Sequence, residues 1–187
     1  MQSSAAYGFR NITEVHPDVI KTRILPAADT RFAVTGEFFD EAKNHCGAVC
    51  ATNVLLYFRA LAGVPVKSTT ERHRIFTAIH DVVGNGPIFS LQKKISRCPF
   101  IAVRGKKLRG VPELVSALDH GCPCILLLAN GLFDWHWVLC VGYLTARENG
   151  QEKLFLRLAD SWTPVCNTIY EPNVGSKILS MTAYRHK

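Results

Sequence analysis

The sequence predicts an α+β fold, with helices in the first two thirds of the chain and a mostly antiparallel sheet in the last third. Two observations carry this expectation. Between residues 46 and 83, apolar residues recur at three- and four-residue spacing, the pattern of helices with a buried face. From residue 123 onward, short runs rich in β-branched and aromatic residues alternate with turn-forming residues. At 187 residues, the length suits one domain with a proper core, residues 1–187.

Residues 1–37, with Pro17 and Pro26 and mixed polarity, read as an extended arm lying across that domain. Phe38 and Phe39 would anchor the approach to the first helix. That helix spans residues 46–62, where Val49, Cys50, Asn53, Val54, Tyr57, Phe58 and Leu61 share helical spacing, and Gly63-Val64-Pro65 ends it. Being mostly apolar, it belongs in the core. A second helix starts at Ser68 or Thr70 and runs to Val83, stopped by Gly84-Asn85-Gly86-Pro87. A short helix over residues 89–96 ends at Cys98-Pro99-Phe100, and residues 100–103 form a short strand before a basic loop. Residues 112–119 form another helix, with proline near its start and Gly121 past its end. Strands follow at residues 123–129, 136–144, 153–158, 163–170 and 177–184, in which Tyr143, Phe155, Tyr170 and Tyr184 suit half-buried positions. Arg147-Glu148-Asn149-Gly150-Gln151 is the hairpin turn between two of them.

Composition excludes several classes. Hydrophobic residues make up 48% and charged residues 20%, ordinary for a globular chain. No apolar run approaches the roughly 20 residues needed to cross a bilayer. The N-terminus lacks a basic cluster followed by an apolar core, so no secretory signal is read and a cytoplasmic location is expected. Seven cysteines without even spacing fit reduced thiols better than a disulfide framework. Cys122-Pro-Cys124 lacks a second ligand pair, so no metal is expected. No Gly-rich phosphate loop or flavin signature is present, and no cofactor is expected. The net charge of +7 is partly local, in Lys93, Lys94, Arg97 and then Arg104, Lys106, Lys107 and Arg109. That run suits an anionic substrate or an acidic partner. Aromatics do not interleave with it as in a stacking platform, which argues against nucleic acid.

The chemistry concentrates at three places. Cys46 stands where a polar loop becomes an apolar helix, and a helix N-terminus favours the thiolate. His136, between Trp135 and Trp137 at a strand start, is placed to act as its base. Asp160 ends the next strand and would orient the imidazole, with Trp162 and Trp135 shielding the site from water. Cys, His and Asp in that order are a set of parts for nucleophilic catalysis.

Asn44-His45-Cys46-Gly47-Ala48 before an apolar helix, His136 six residues before Gly142, and Asp160-Ser161-Trp162 resemble the papain-like cysteine peptidase superfamily. Within it, the motifs are most similar to those of bacteriocin-leader-processing (double-glycine) peptidases and their stand-alone bacterial relatives. The resemblance covers residues 38 to 165 and rests on three short motifs in order. It implies an N-terminal helical lobe carrying Cys46, a C-terminal antiparallel sheet carrying His136 and Asp160, and a site between them. It implies a Cys46-His136-Asp160 triad acting on a peptide or protein substrate through an acyl-enzyme. The family has a glutamine six residues before the cysteine as an oxyanion donor. Here that residue is Asp40, and a carboxylate would repel the developing charge. Asn44 or His45 would substitute, helped by the Cys46 amide. Cys50, where the family often has a small residue, reads as core packing. The departure at Asp40 keeps open an acyltransferase, deamidase or transpeptidase on the same scaffold, and a papain-like domain without catalysis that binds acidic peptides through Arg104–Arg109.

Overall fold

Helix α1 (Cys46–Leu61) is apolar on every side, and residues 47 to 57 are all buried, so it forms as a central rod rather than a surface helix. Helix α2 (Thr69–Val83) is amphipathic. Its cap, Ser68, accepts a hydrogen bond from the Glu71 amide, and Ile75, Phe76, Ile79 and Val83 turn inward against α1. A short α3 (Leu91–Ile95) follows, and α4 (Val111–Asp119) starts with Pro112 in its first turn. These elements belong to a computed structural model that describes residues 4–15, 18–86, 90–98 and 100–187. The predicted start of the short helix at Phe89 and the predicted stop at Pro87 lie outside the described residues.

The rest is a large, wholly antiparallel sheet, giving a mixed α/β fold. Its strands are β1 (Phe9–Asn11), β2 (Val19–Ile24), β3 (Val103–Leu108), β4 (Cys124–Ala129), β5 (Trp135–Glu148), β6 (Gln151–Ala159), β7 (Thr168–Tyr170) and β8 (Lys177–His186). The order across the sheet is β1-β7-β6-β5-β4-β8-β3, with β2 also paired to β5. Strand β5 is the spine. Its first half pairs with β4 and its second half with β2, while β6 runs along its other side. The β5–β6 hairpin closes at Asn149-Gly150, both at positive φ, as a two-residue turn requires.

The change of partner along β5 explains Gly142. A Cβ there would stand 2.4 Å from the Arg23 carbonyl oxygen of β2. Gly142→Ala is therefore expected to push β2 off the spine and cost about 1–3 kcal/mol, read as a lower urea midpoint with an unchanged slope.

Three elements differ from the sequence expectation. The basic run is not a loop: residues 103–108 are an edge strand paired with β8. Charged side chains along an exposed edge discourage sheet-to-sheet pairing, so the run reads polar while folding as strand. The strand predicted over residues 163–170 keeps only its last three residues, because the chain before it wraps around Asp160. The N-terminal arm contributes two strands, β1 and β2. Neither has the alternation of a half-buried strand, since β2 is largely exposed.

Candidate active site

Cys46 is the first residue of α1, and its backbone places the sulfur among amide donors. The N–H groups of Trp137, Gly47 and Cys46 itself all favour its thiolate. Burial opposes them and prevails, so the thiol is pushed above its ordinary range. As folded, Cys46 is a protonated thiol at neutral pH. The Trp137 amide belongs to β5, one residue past His136, so the start of β5 abuts the N-terminus of α1.

His136 is only 1% exposed. Its Nε2 lies 2.6 Å from the backbone oxygen of Asp160. A carbonyl only accepts, so Nε2 carries the hydrogen and the neutral ring keeps its lone pair on Nδ1. Trp162 stacks flat on the imidazole, with ring centroids 4.1 Å apart and planes 7° apart. Burial depresses the His136 pKa to about 4, against the pull of the Asp160 carbonyl and of the Asp160 and Asp134 charges.

Asp160 is 2% exposed, and its carboxylate is used locally. Oδ1 accepts from the amides of Trp162 and Thr163 and from the Thr163 hydroxyl. Oδ2 accepts from the Thr168 hydroxyl at 2.5 Å. These bonds close a tight turn, with Ser161 at φ 64°, that sets Trp162 over His136. Asp160 thus meets His136 through its main chain. The sequence flagged the residue but could not show which of its oxygens faces the ring.

The other candidates fall in different places. His45 caps α1 without a side-chain capping bond. Its Nε2 donates to the Thr35 carbonyl at 2.9 Å, and Phe38, Phe39 and Phe76 surround the ring. Its Nδ1 is buried without a partner; in the neutral ring that atom is an acceptor and has no proton to offer an oxyanion. Asn44 is exposed at positive φ, and its backbone oxygen accepts from Gly86. Trp135 is half-buried at the first position of β5, opposite Ala129. Arg104, Lys106 and Lys107 lie on edge strand β3 with Arg109 just beyond it, and β8 and β4 separate them from β5. The structure does not bring that basic run to Cys46 and His136.

Two residues at the site had no sequence signal. Tyr7 is fully buried, its ring edge-on to His136 (5.6 Å) and to Trp162 (5.8 Å). Its hydroxyl donates to Asp134 Oδ1 at 2.7 Å. Asp134 closes a short loop in which the Asn130 amide bonds the Asp134 carbonyl, with Leu132 and Phe133 about 80% exposed.

Among the described residues there is no cluster of His, Cys, Asp and Glu fit to hold a metal, and no helix long and apolar enough to cross a membrane. A cleft of about 440 Å³ opens elsewhere, lined by Leu55, Arg59, Glu71, Arg74, Ile75 and Phe100.

No protein-family profile matches the sequence, and no curated protein matches it. Among solved structures, the fold is similar to a crystal structure from Bacillus anthracis, described provisionally as a C39-like peptidase. The TM-score is 0.52 at 14% identity, over 89% of this chain and all of that one. The likeness is one of fold alone, in keeping with this chain's mixed α/β architecture and large antiparallel sheet.

Proposed function

We propose that the protein is a cysteine peptidase or closely related thiol acyl hydrolase, with its site where the N-terminus of α1 meets the start of β5. In this reading the helices form the side carrying the nucleophile and the sheet the side carrying the base. The observation that carries it is the tethering of His136. Its Nε2 is held by the Asp160 carbonyl beneath Trp162, leaving Nδ1 as the basic atom, on the residue adjoining the amide that contacts the Cys46 sulfur. Nδ1 takes the thiol proton as sulfur attacks the substrate carbonyl, then gives it to the departing amine. Water cleaves the resulting thioester with His136 again acting as base. The oxyanion forms beside the N–H of Cys46, at the positive end of α1. Asp160 is a positioning residue. The fold shared with a C39-like peptidase supports a peptide as the acyl donor.

Asp40, exposed at the position where the family resemblance calls for glutamine, supports a second reading. With a weaker oxyanion site, an amine rather than water would be the acceptor, making the protein an acyltransferase or transpeptidase. Added amine diverting a trapped acyl-enzyme from hydrolysis is the result that would favour it.

A small activated ester, p-nitrophenyl acetate, tests the shared chemistry. Nitrophenolate release is expected with a transient acetyl group on Cys46, detected by mass spectrometry. Cys46→Ala should abolish both, and His136→Ala should slow acylation by on the order of 100-fold or more. Release that persists unchanged in Cys46→Ala would refute the proposal.

A further inference from the structure

The N-terminal segment is built into the site in a way that neither the fold nor the proposed chemistry requires. Tyr7 lies 127 residues from Asp134 in sequence, yet its hydroxyl is bonded to that carboxylate and its ring lies against both His136 and Trp162. Phe9 adds a second ring, 6.4 Å from His136 and 5.6 Å from Trp162. Burial first, then the hydrogen bond and charge of Asp134, and last the nearby Cys46 push the Tyr7 hydroxyl's pKa up, so it stays a neutral donor. With Tyr7 fully buried and His136 at 1% exposure, substrate meets the imidazole only in molecules from which this segment has lifted, so wild-type turnover is held down rather than abolished.

The segment is attached at the margin of the sheet, where Arg10 also pairs with Glu148 and the Ile12 amide bonds the Asn167 carbonyl. Strand β1 is three residues long and ends the sheet, where among the described residues it pairs with β7 alone. The Ser176 hydroxyl donates to the Tyr7 carbonyl. Gly8 and Gly175 pass so closely that a Cβ on Gly175 would stand 2.6 Å from the Gly8 Cα. A short edge strand with one neighbour detaches at far lower cost than the sheet interior. The contrast is chemical as well. The space is walled by a flat indole and an imidazole and ends at a carboxylate, a shape and polarity suited to a phenol.

We propose that this space is an aryl-binding subsite of the site described above, filled in the resting chain by its own Tyr7. The N-terminal segment then acts as a plug, and the ligand that replaces it carries a phenolic side chain on a peptide. The proposal rests on the cysteine hydrolase reading for its consequence, though the occlusion itself is measurable without any catalysis.

The test is the rate at which iodoacetamide labels Cys46 in the full chain, followed by mass spectrometry, with fully buried Cys50, Cys124 and Cys140 as reporters of unfolding. Cys46 keeps partial exposure, so wild type should label at a measurable rate that the seated segment holds down. Tyr7→Ala should label Cys46 at least about 10-fold faster with the three reporters still protected, and p-cresol should restore the slow rate better than toluene, which lacks the hydroxyl for Asp134. Gly175→Ala dislodges the same segment without touching any site side chain and should also speed labelling. An unchanged rate in both variants would overturn the plug, and acceleration that p-cresol does not reverse would overturn the aryl subsite. If Tyr7→Ala labels fast and responds to p-cresol yet acquires no acetyl group from p-nitrophenyl acetate, the plug stands and the hydrolase reading falls. If Tyr7→Ala also exposes the reporters, the decision passes to Gly175→Ala.

Discussion

Asp160→Ala is expected to lose stability and activity together, whereas Asp160→Asn keeps most of both. Alanine removes the acceptor for the Trp162 and Thr163 amides and for two threonine hydroxyls. Thr163 is exposed and water can serve it, but Thr168 is buried and the Trp162 amide is partly so. Stranding those two donors costs on the order of 3 kcal/mol, read from the urea midpoint. The turn then loosens, and with it the Trp162 ring and the carbonyl that hold His136. Asparagine keeps an acceptor for both amides, and the Thr168 hydroxyl can rotate to accept from the new amide group, for a cost of about 1 kcal/mol. Because His136 is held by a carbonyl, Asn leaves the tautomer intact. It removes only the nearby negative charge that favours the imidazolium, so hydrolysis should fall by about 10-fold or less. A carboxylate bonded directly to the imidazole behaves otherwise, and its conversion to the amide costs on the order of 10⁴-fold. Such a loss in Asp160→Asn, with stability retained, would show that the carboxylate turns to the ring during turnover.

How much of this was legible in the sequence depends on the reach of each interaction. Helices α1, α2 and α4 and strands β4, β5, β6 and β8 announce themselves through their own periodicity and punctuation, because each buries a face whose spacing is local. Strand β3 does not, since an edge strand takes its conformation from β8 and its composition from the need to stay soluble at an exposed edge. Strands β1 and β2 are held by partners more than a hundred residues away, at β7 and β5, and their side chains carry little alternation. At the site, residue type and order pointed to Cys46, His136 and Asp160, which the fold sets at the start of α1, the start of β5 and the end of β6. What sequence could not supply is orientation. The main chain of Asp160 rather than its carboxylate faces His136, His45 spends its donor on Thr35, and a tyrosine from the arm fills the space beside the imidazole. Each of these follows from packing across the whole chain.

Acid should destabilise the protein through His136 in a defined window. The unfolded ring titrates near pH 6.5 and the folded one near 4, because burial penalises the imidazolium more than the Asp160 carbonyl and the Asp160 and Asp134 charges can repay. Above pH 6.5 the ring is neutral in both states and contributes nothing to the pH dependence. Between 6.5 and 4 the unfolded chain binds a proton that the folded chain refuses, so stability declines as pH falls. Below 4 both states are protonated and the loss is complete, at about 3 kcal/mol. Urea midpoints in wild type and His136→Gln should therefore converge or cross as pH drops from 7.5 to 4, the variant's curve being the flatter by that amount. Parallel curves would mean that His136 reaches water or a counter-ion in the folded state. The same depressed value bears on mechanism. On the proposed reading, a neutral imidazole and a thiol that burial holds protonated would act as base and nucleophile only once substrate binds, and not as a preformed ion pair. Labelling of Cys46 in wild type should accordingly climb with pH toward and beyond the ordinary thiol range, with no plateau between pH 5 and 7. Such a plateau, the mark of a thiolate–imidazolium pair, is expected to appear only once the Tyr7 segment has left and water reaches both groups.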